Sequence, residues 1–170
     1  MKCIQHIIRA MKLTTARAVL YGGLTAGALD LLDAFVFFWF YSGARPMGIL
    51  QSIAAGWMGR NPARAGGMPT AALGLASHFM IATIIAAVFV LASRYIDTLR
   101  RHWAISGLVY GIAAYFVMTW VVVPLSNAGG GISLSLALPA RPVMINGLLI
   151  HALGVGLPIA YFASRSPKAN

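Results

Sequence analysis

Four stretches of this chain contain neither lysine nor arginine, and each is long enough to cross a bilayer: 18–44, 68–93, 103–125 and 143–163. A hydrocarbon core of about 30 Å takes about 20 helical residues. Nothing in hydrocarbon can satisfy a bare backbone, so such stretches become helices packed on one another. The pattern therefore predicts an all-α, polytopic membrane four-helix bundle: one transmembrane domain over 1–170, with spans near 18–42, 68–93, 103–125 and 143–163. Composition agrees, at 59% hydrophobic and 9% charged residues, where soluble domains carry about 25% charged.

The charged residues that remain are placed by topology. Nine basic residues fall in the N-terminal segment, the second connection and the C-terminal segment, against four in the first and third connections (Arg45, Arg60, Arg64, Arg141). The positive-inside rule then puts both termini in the cytoplasm. The net charge of +10 is spread between apolar runs rather than gathered on one face, which points to the lipid bilayer as the partner and away from nucleic acid. The first run is nearly twice the length of a signal peptide's apolar region and holds two aspartates, so it reads as a retained span. A lone Cys3 offers neither a disulfide nor a thiolate metal cluster.

The connections carry patterns of their own. Residues 46–58 place Ile49, Leu50, Ile53, Ala54, Trp57 and Met58 at helical spacing over a length too short to cross, which predicts an interfacial or re-entrant helix after the first span. Residues 2–13 alternate apolar and basic positions as a short amphipathic surface helix does. Between Ser126 and Arg141 a glycine run and a period of two suggest an extended segment lying over the bundle.

Polarity inside the spans singles out a site. The chain has three acidic residues, all aspartate, and two of them, Asp30 and Asp33, lie in the first run. A charge at that depth costs at least about 2.5 kcal/mol on insertion scales and marks function by default. At about 100° per residue, Gly22, Gly23, Ala26, Gly27, Asp30, Asp33, Ala34 and Phe37 share one side of the helix. Leu24, Leu31, Leu32, Phe35, Val36 and Trp39 share the other. Small residues mark packing faces in membranes, so both carboxylates are expected to look inward. By the same test His78 aligns with Ala71, Gly74 and Ala82, and His151 with Gly147, Gly154 and Pro158. The third span turns Gly107, Gly111 and Ala114 inward with Tyr115 at the edge.

Asp30 lies about 18 Å along its span, and His78 and His151 about 15 and 12 Å from the opposite ends of theirs, so the three share one level. No lysine or arginine in the spans can neutralise the carboxylates. A proton, a bound cation or a protonated imidazole must do so, and that is the composition of proton relays and ion pathways. Asp30, Asp33, His78, His151 and Tyr115 are therefore the candidate ion- or proton-binding residues. Two aspartates and two histidines also suit a divalent metal, and two inward histidines suit an axial haem pair, so the cofactor is open. A purely structural role is open as well: an inward aspartate can accept from Ser77, Thr83, Tyr115 or Asn146 and lock helix packing. The motifs of serine hydrolases, zinc proteases, P-loops and dinucleotide folds are absent, and paired-aspartate intramembrane proteases use two helices, so catalysis is not expected.

Two G-x-x-x-G pairs, Gly23–Gly27 and Gly107–Gly111, are the kind that join membrane helices. They support a rival reading as an accessory or assembly subunit of a larger membrane complex, or a homo-oligomer. Val19-Leu20-Tyr21-Gly22 against Leu108-Val109-Tyr110-Gly111 hints at a duplicated hairpin.

The succession Gly22-Gly23-Leu24-Thr25-Ala26-Gly27 followed by Ala28-Leu29-Asp30, then Ile49 to Gly56, Thr70 to Leu75 leading to His78-Phe79, and Val121-Val122-Val123-Pro124-Leu125-Ser126 resembles small bacterial four-span inner-membrane proteins of uncharacterised function. The resemblance spans most of the chain. It implies the architecture and a bacterial inner-membrane location, and brings no activity, cofactor or site residue with it.

Overall fold

The computed structural model describes residues 13–129 and 139–169. The amphipathic segment expected over 2–13 and most of the extended segment expected between Ser126 and Arg141 lie outside them. Among the described residues seven helices follow in order, with a 3₁₀ turn at Asn127–Gly129: α1 (Thr15–Ser42), α2 (Pro46–Met58), α3 (Arg60–Ala65), α4 (Gly67–Tyr95), α5 (Asp97–Arg101), α6 (Trp103–Leu125) and α7 (Arg141–Ser164). There is no strand among the described residues. Helices α1, α4, α6 and α7 are each long and apolar enough to cross a membrane. They coincide with the four expected spans to within three residues at each end.

Local chemistry sets the boundaries. Thr14 caps α1, its hydroxyl oxygen accepting from the Arg17 amide at 3.2 Å. At the other end Gly43 takes φ +67°, the left-handed conformation glycine adopts without strain. Its amide and that of Ala44 then donate to the Trp39 and Phe38 carbonyls. Proline opens α2 at Pro46, where a missing amide costs nothing.

The spans pack through small residues. Gly23 lies against Thr83, a Cβ there falling 2.7 Å from the Thr83 Cα, and Gly27 lies against the Phe79 ring. That seats α1 on α4. Helix α1 also packs on α7, and α7 on α6. The core at this side is Ala18, Ala26, Ala86, Phe89, Val90, Val155, Ile159, Ala160 and Ala163. On α1 the expected lipid face holds at Leu24, Leu32, Val36 and Trp39, which are exposed, but Leu31 is buried. The buried arc is thus one residue wider than the wheel implies.

Helices α6 and α7 are not regular. A π turn runs over Met118–Val122 and another over His151–Gly156. Each ends two residues before a proline, Pro124 and Pro158. A proline inside a helix has no amide for the carbonyl four residues back, and its ring crowds that carbonyl. The preceding turn opens into the wider π form. In α7 the widened backbone swings toward α6, where Gly107 and Gly111 receive it: a Cβ on Gly111 would fall 2.0 Å from the His151 carbonyl oxygen, and one on Gly156 1.9 Å from the Gly107 oxygen. Backbone meets backbone at this crossing.

The two ends of the bundle differ. At the end carrying the termini, Arg100 on α5 donates to the Ala163 and Ser164 carbonyls, the Ser166 hydroxyl and the Ser166 carbonyl, closing the last turn of α7. Lys168 pairs with Asp97 at 2.6 Å, holding that carboxyl below the usual carboxylate range. Burial pulls the Arg100 guanidinium down from its ordinary value. At the loop end α2 lies across α4, a Cβ on Gly74 falling 1.9 Å from the Leu50 carbonyl. Gln51 donates to the Gly67 carbonyl at 3.1 Å, and the Trp57 indole donates to the Ser77 hydroxyl at 2.8 Å. Helix α2 is therefore docked on α4 as part of the bundle. Spans α4 and α6 meet through Phe89, Tyr110 and the Tyr110 hydroxyl on the Ile85 carbonyl. Toward the loop end a cavity separates them.

Candidate functional site

Asp30 lies on the small face of α1, one turn beyond Gly27. Because Gly27 lets α4 approach, His78 reaches across, and its Nε2 is 2.9 Å from the Gly27 carbonyl oxygen. A carbonyl only accepts, so that nitrogen carries the proton and donates. The same Nε2 is 4.0 Å from Asp30 Oδ2. From the other side comes His151, the first residue of the π turn in α7, with Nδ1 3.6 Å from Asp30 Oδ1. Two imidazoles from two helices thus converge on the two oxygens of one carboxylate.

The cluster is interior without being sealed. Side-chain exposure is 23% for Asp30, 14% for His78 and 17% for His151. Counted from the terminal ends of their spans, Asp30, Tyr115, His151 and His78 lie about 22, 18, 20 and 25 Å along them. They share one level, displaced toward the loop end.

Tyr115 closes the floor. It is buried, its ring lies edge-on to His151 with centroids 5.4 Å apart at 76°, and it fills the space left by Gly147. The Tyr115 hydroxyl and His151 Nδ1 are buried and have no hydrogen-bond partner among the described residues. Polar atoms without partners in an apolar interior are expensive. Here one is a phenol and the other a ring nitrogen that can give or take a proton, 3.6 Å from the Asp30 carboxylate.

Asp33 is placed differently. Its Oδ2 accepts from the Asn146 side chain of α7 at 2.6 Å, and it borders a shallow recess with Val36, Phe37, Phe40 and Tyr41. Asp30 and Asp33 share a helix face, but one turn carries Asp33 past the histidines to the loop end of α7. Of the four donors named from sequence, only Asn146 reaches an aspartate. The Ser77 and Thr83 hydroxyls bond instead to the carbonyls one turn back in α4, of Leu73 and Phe79.

This division bears on the cofactor. No group of three or more His, Cys, Asp or Glu side chains among the described residues is arranged to hold a metal ion, and Asp33 points away from the set proposed from sequence. The two imidazoles both address Asp30. Sequence reasoning did not find the Gly27 carbonyl as the anchor of His78, nor the π turn that aims His151. Pro158 was the available signal for the second. Sequence gave no signal for the first, since every residue offers a carbonyl.

The glycine pairs are also spent. Gly23 and Gly27 seat α4, and Gly107 and Gly111 seat the π turn of α7. The two tyrosines of the apparent repeat live in unlike surroundings: Tyr21 is exposed beside Phe162, whereas Tyr110 reaches the Ile85 carbonyl. No family model, curated protein or solved structure matches the chain.

Proposed function

We propose that this protein is a small integral membrane protein that takes up and passes a proton or a small cation at Asp30, with His78 and His151 as exchange partners. The observation that carries this reading is the convergence of two imidazoles from separate helices on one carboxylate, in an interior without a lysine or arginine to neutralise it. His78 is held by a backbone carbonyl and so orients the site. His151 keeps an unpartnered nitrogen at the carboxylate and so is the mobile member. Tyr115 walls the path. Coupling to a small solute would use the recess at Asp33, which opens beside the same helix face.

The positive-inside distribution supports cytoplasmic termini, and the resemblance of the sequence supports a bacterial inner membrane. The site is then entered from the outer side. The protein acts by binding and relay rather than by covalent catalysis. The accessory-subunit reading rested on the glycine pairs, and internal packing already occupies both.

The test is proton flux into liposomes carrying purified protein. Asp30→Asn keeps the shape of the side chain and removes its charge. Flux should fall to the protein-free background while circular dichroism shows an unchanged helical content. Unchanged flux in a folded Asp30→Asn protein rejects the reading.

A further inference from the structure

At the loop end, where α4 and α6 part, a cavity of about 690 Å³ opens between them and α2. That lies within the roughly 300–1,000 Å³ of small-ligand sites. One wall is apolar: Met80 and Ile81 from α4, Met118, Val122 and Val123 from α6. At its rim stand Arg60 and Arg64 of α3. Four residues apart, they fall on the same face of that helix. The Arg60 Nε donates to the Ala128 carbonyl at 2.8 Å, which fixes the side chain and leaves its terminal nitrogens for another acceptor.

No acidic side chain of this chain is paired with either arginine. The three acidic residues are Asp30, beside the histidines, Asp33, bonded to Asn146, and Asp97, paired with Lys168. The cavity thus combines a cationic rim, its Arg60 held by the Ala128 carbonyl, with a largely apolar interior. Trp57 and Val123, which line the cavity, also carry exposed apolar surface.

We propose that this cavity holds one acyl chain of an anionic phospholipid, with the phosphate paired to Arg60 and Arg64. Guanidinium suits phosphate because its forked donors match two oxygens at once. The apolar wall accepts a chain that never has to leave the bilayer. The occupant is distinct from anything bound at Asp30, and the two sites are tested separately.

The experiment is native mass spectrometry of the full chain in neutral detergent, with phosphatidylglycerol or phosphatidylcholine of identical acyl chains added at equal concentration. The unaltered protein should retain the anionic lipid preferentially. The double variant Arg60→Gln with Arg64→Gln should lose about tenfold of that retention and fall to the phosphatidylcholine level. Arg45→Gln and Arg141→Gln, at the same end but outside the cavity, should match the unaltered protein. Gly48→Trp provides a second arm: Gly48 is exposed where it lines the cavity and a Cβ there meets nothing within 4 Å, so an indole is accommodated at the mouth and should reduce retention of both lipids. Should the double arginine variant fail to fold, Gly48→Trp decides. Equal retention of the two lipids by the unaltered protein, an equal loss in the Arg45 and Arg141 variants, or undiminished retention in Gly48→Trp overturns the proposal.

Discussion

Asp30 and Asp33 are the same residue type, one turn apart on one helix face, and the fold gives them opposite neighbours. Asp30 faces two imidazoles that can each trade a proton, at 3.6 and 4.0 Å. Asp33 faces one side-chain amide, which does not titrate and whose nitrogen donates at 2.6 Å. The first arrangement sets groups with exchangeable protons side by side, whereas the second ties α1 to α7 through a hydrogen bond. An interior carboxylate is therefore not a site by its depth alone. What it can do depends on whether its neighbours titrate.

The comparison breaks most directly in transport. Asp30→Asn should cut proton flux in liposomes by more than about 100-fold, and Asp33→Asn should retain more than half of it. Equal losses would make the two carboxylates one site after all. Next come the partners: His78→Gln and His151→Gln should each lower flux about 10–100-fold, the usual cost of removing an orienting or exchanging group beside a bound ion. His78 should also lose stability, because its bond to the Gly27 carbonyl goes with it.

Geometry at the π turn offers a third test. Gly111→Ala forces a methyl against the His151 carbonyl, a backbone atom with no rotamer to move to. Overpacking of this kind typically costs about 1–3 kcal/mol. The displaced histidine should lower flux as well, which a melting curve and a flux assay on one sample would show. Asn146→Leu sharpens the contrast from the other side: removing the donor to Asp33 should cost about 1–3 kcal/mol of stability and leave flux near its original level.

The smallest effect is expected at Asp97. Its carboxyl is held low by Lys168, so the folded value lies below the unfolded 3.8. A depressed carboxylate contributes stability above the unfolded value and loses it as pH falls through the folded one. The contribution should therefore be complete at neutral pH and disappear only below pH 3.8. Both partners are exposed, so salt screens the pair. Lys168→Gln should leave the melting temperature at neutral pH within error, and comparison of acid melting curves for the two proteins would check this.

The helices were legible because membrane burial is read directly from composition: a run without lysine or arginine, of sufficient length, has few alternatives. Trp103–Leu125 was placed to the residue, and Pro46–Met58 was bounded by its own proline and glycine. The wheel for α1 placed Asp30 inward because glycine and alanine mark where another helix comes close. It missed Leu31, because a helix between two neighbours buries a wider arc than a single contact line. His78 and His151 were visible as inward residues at one level. That both would approach Asp30 and neither Asp33 was not visible, since one turn of helix and a π turn decide it.

Sequence alone determined the number of spans, their boundaries, the faces they pack with and the level of the titratable groups, because those depend on local hydropathy and on a helical period that no partner alters. Only the tertiary structure decided which groups meet. Contact between side chains on different helices depends on crossing angles and on shifts of a few ångströms, here set by Gly27 beneath Phe79 and by the proline-opened turn at His151. Periodicity carries no record of either.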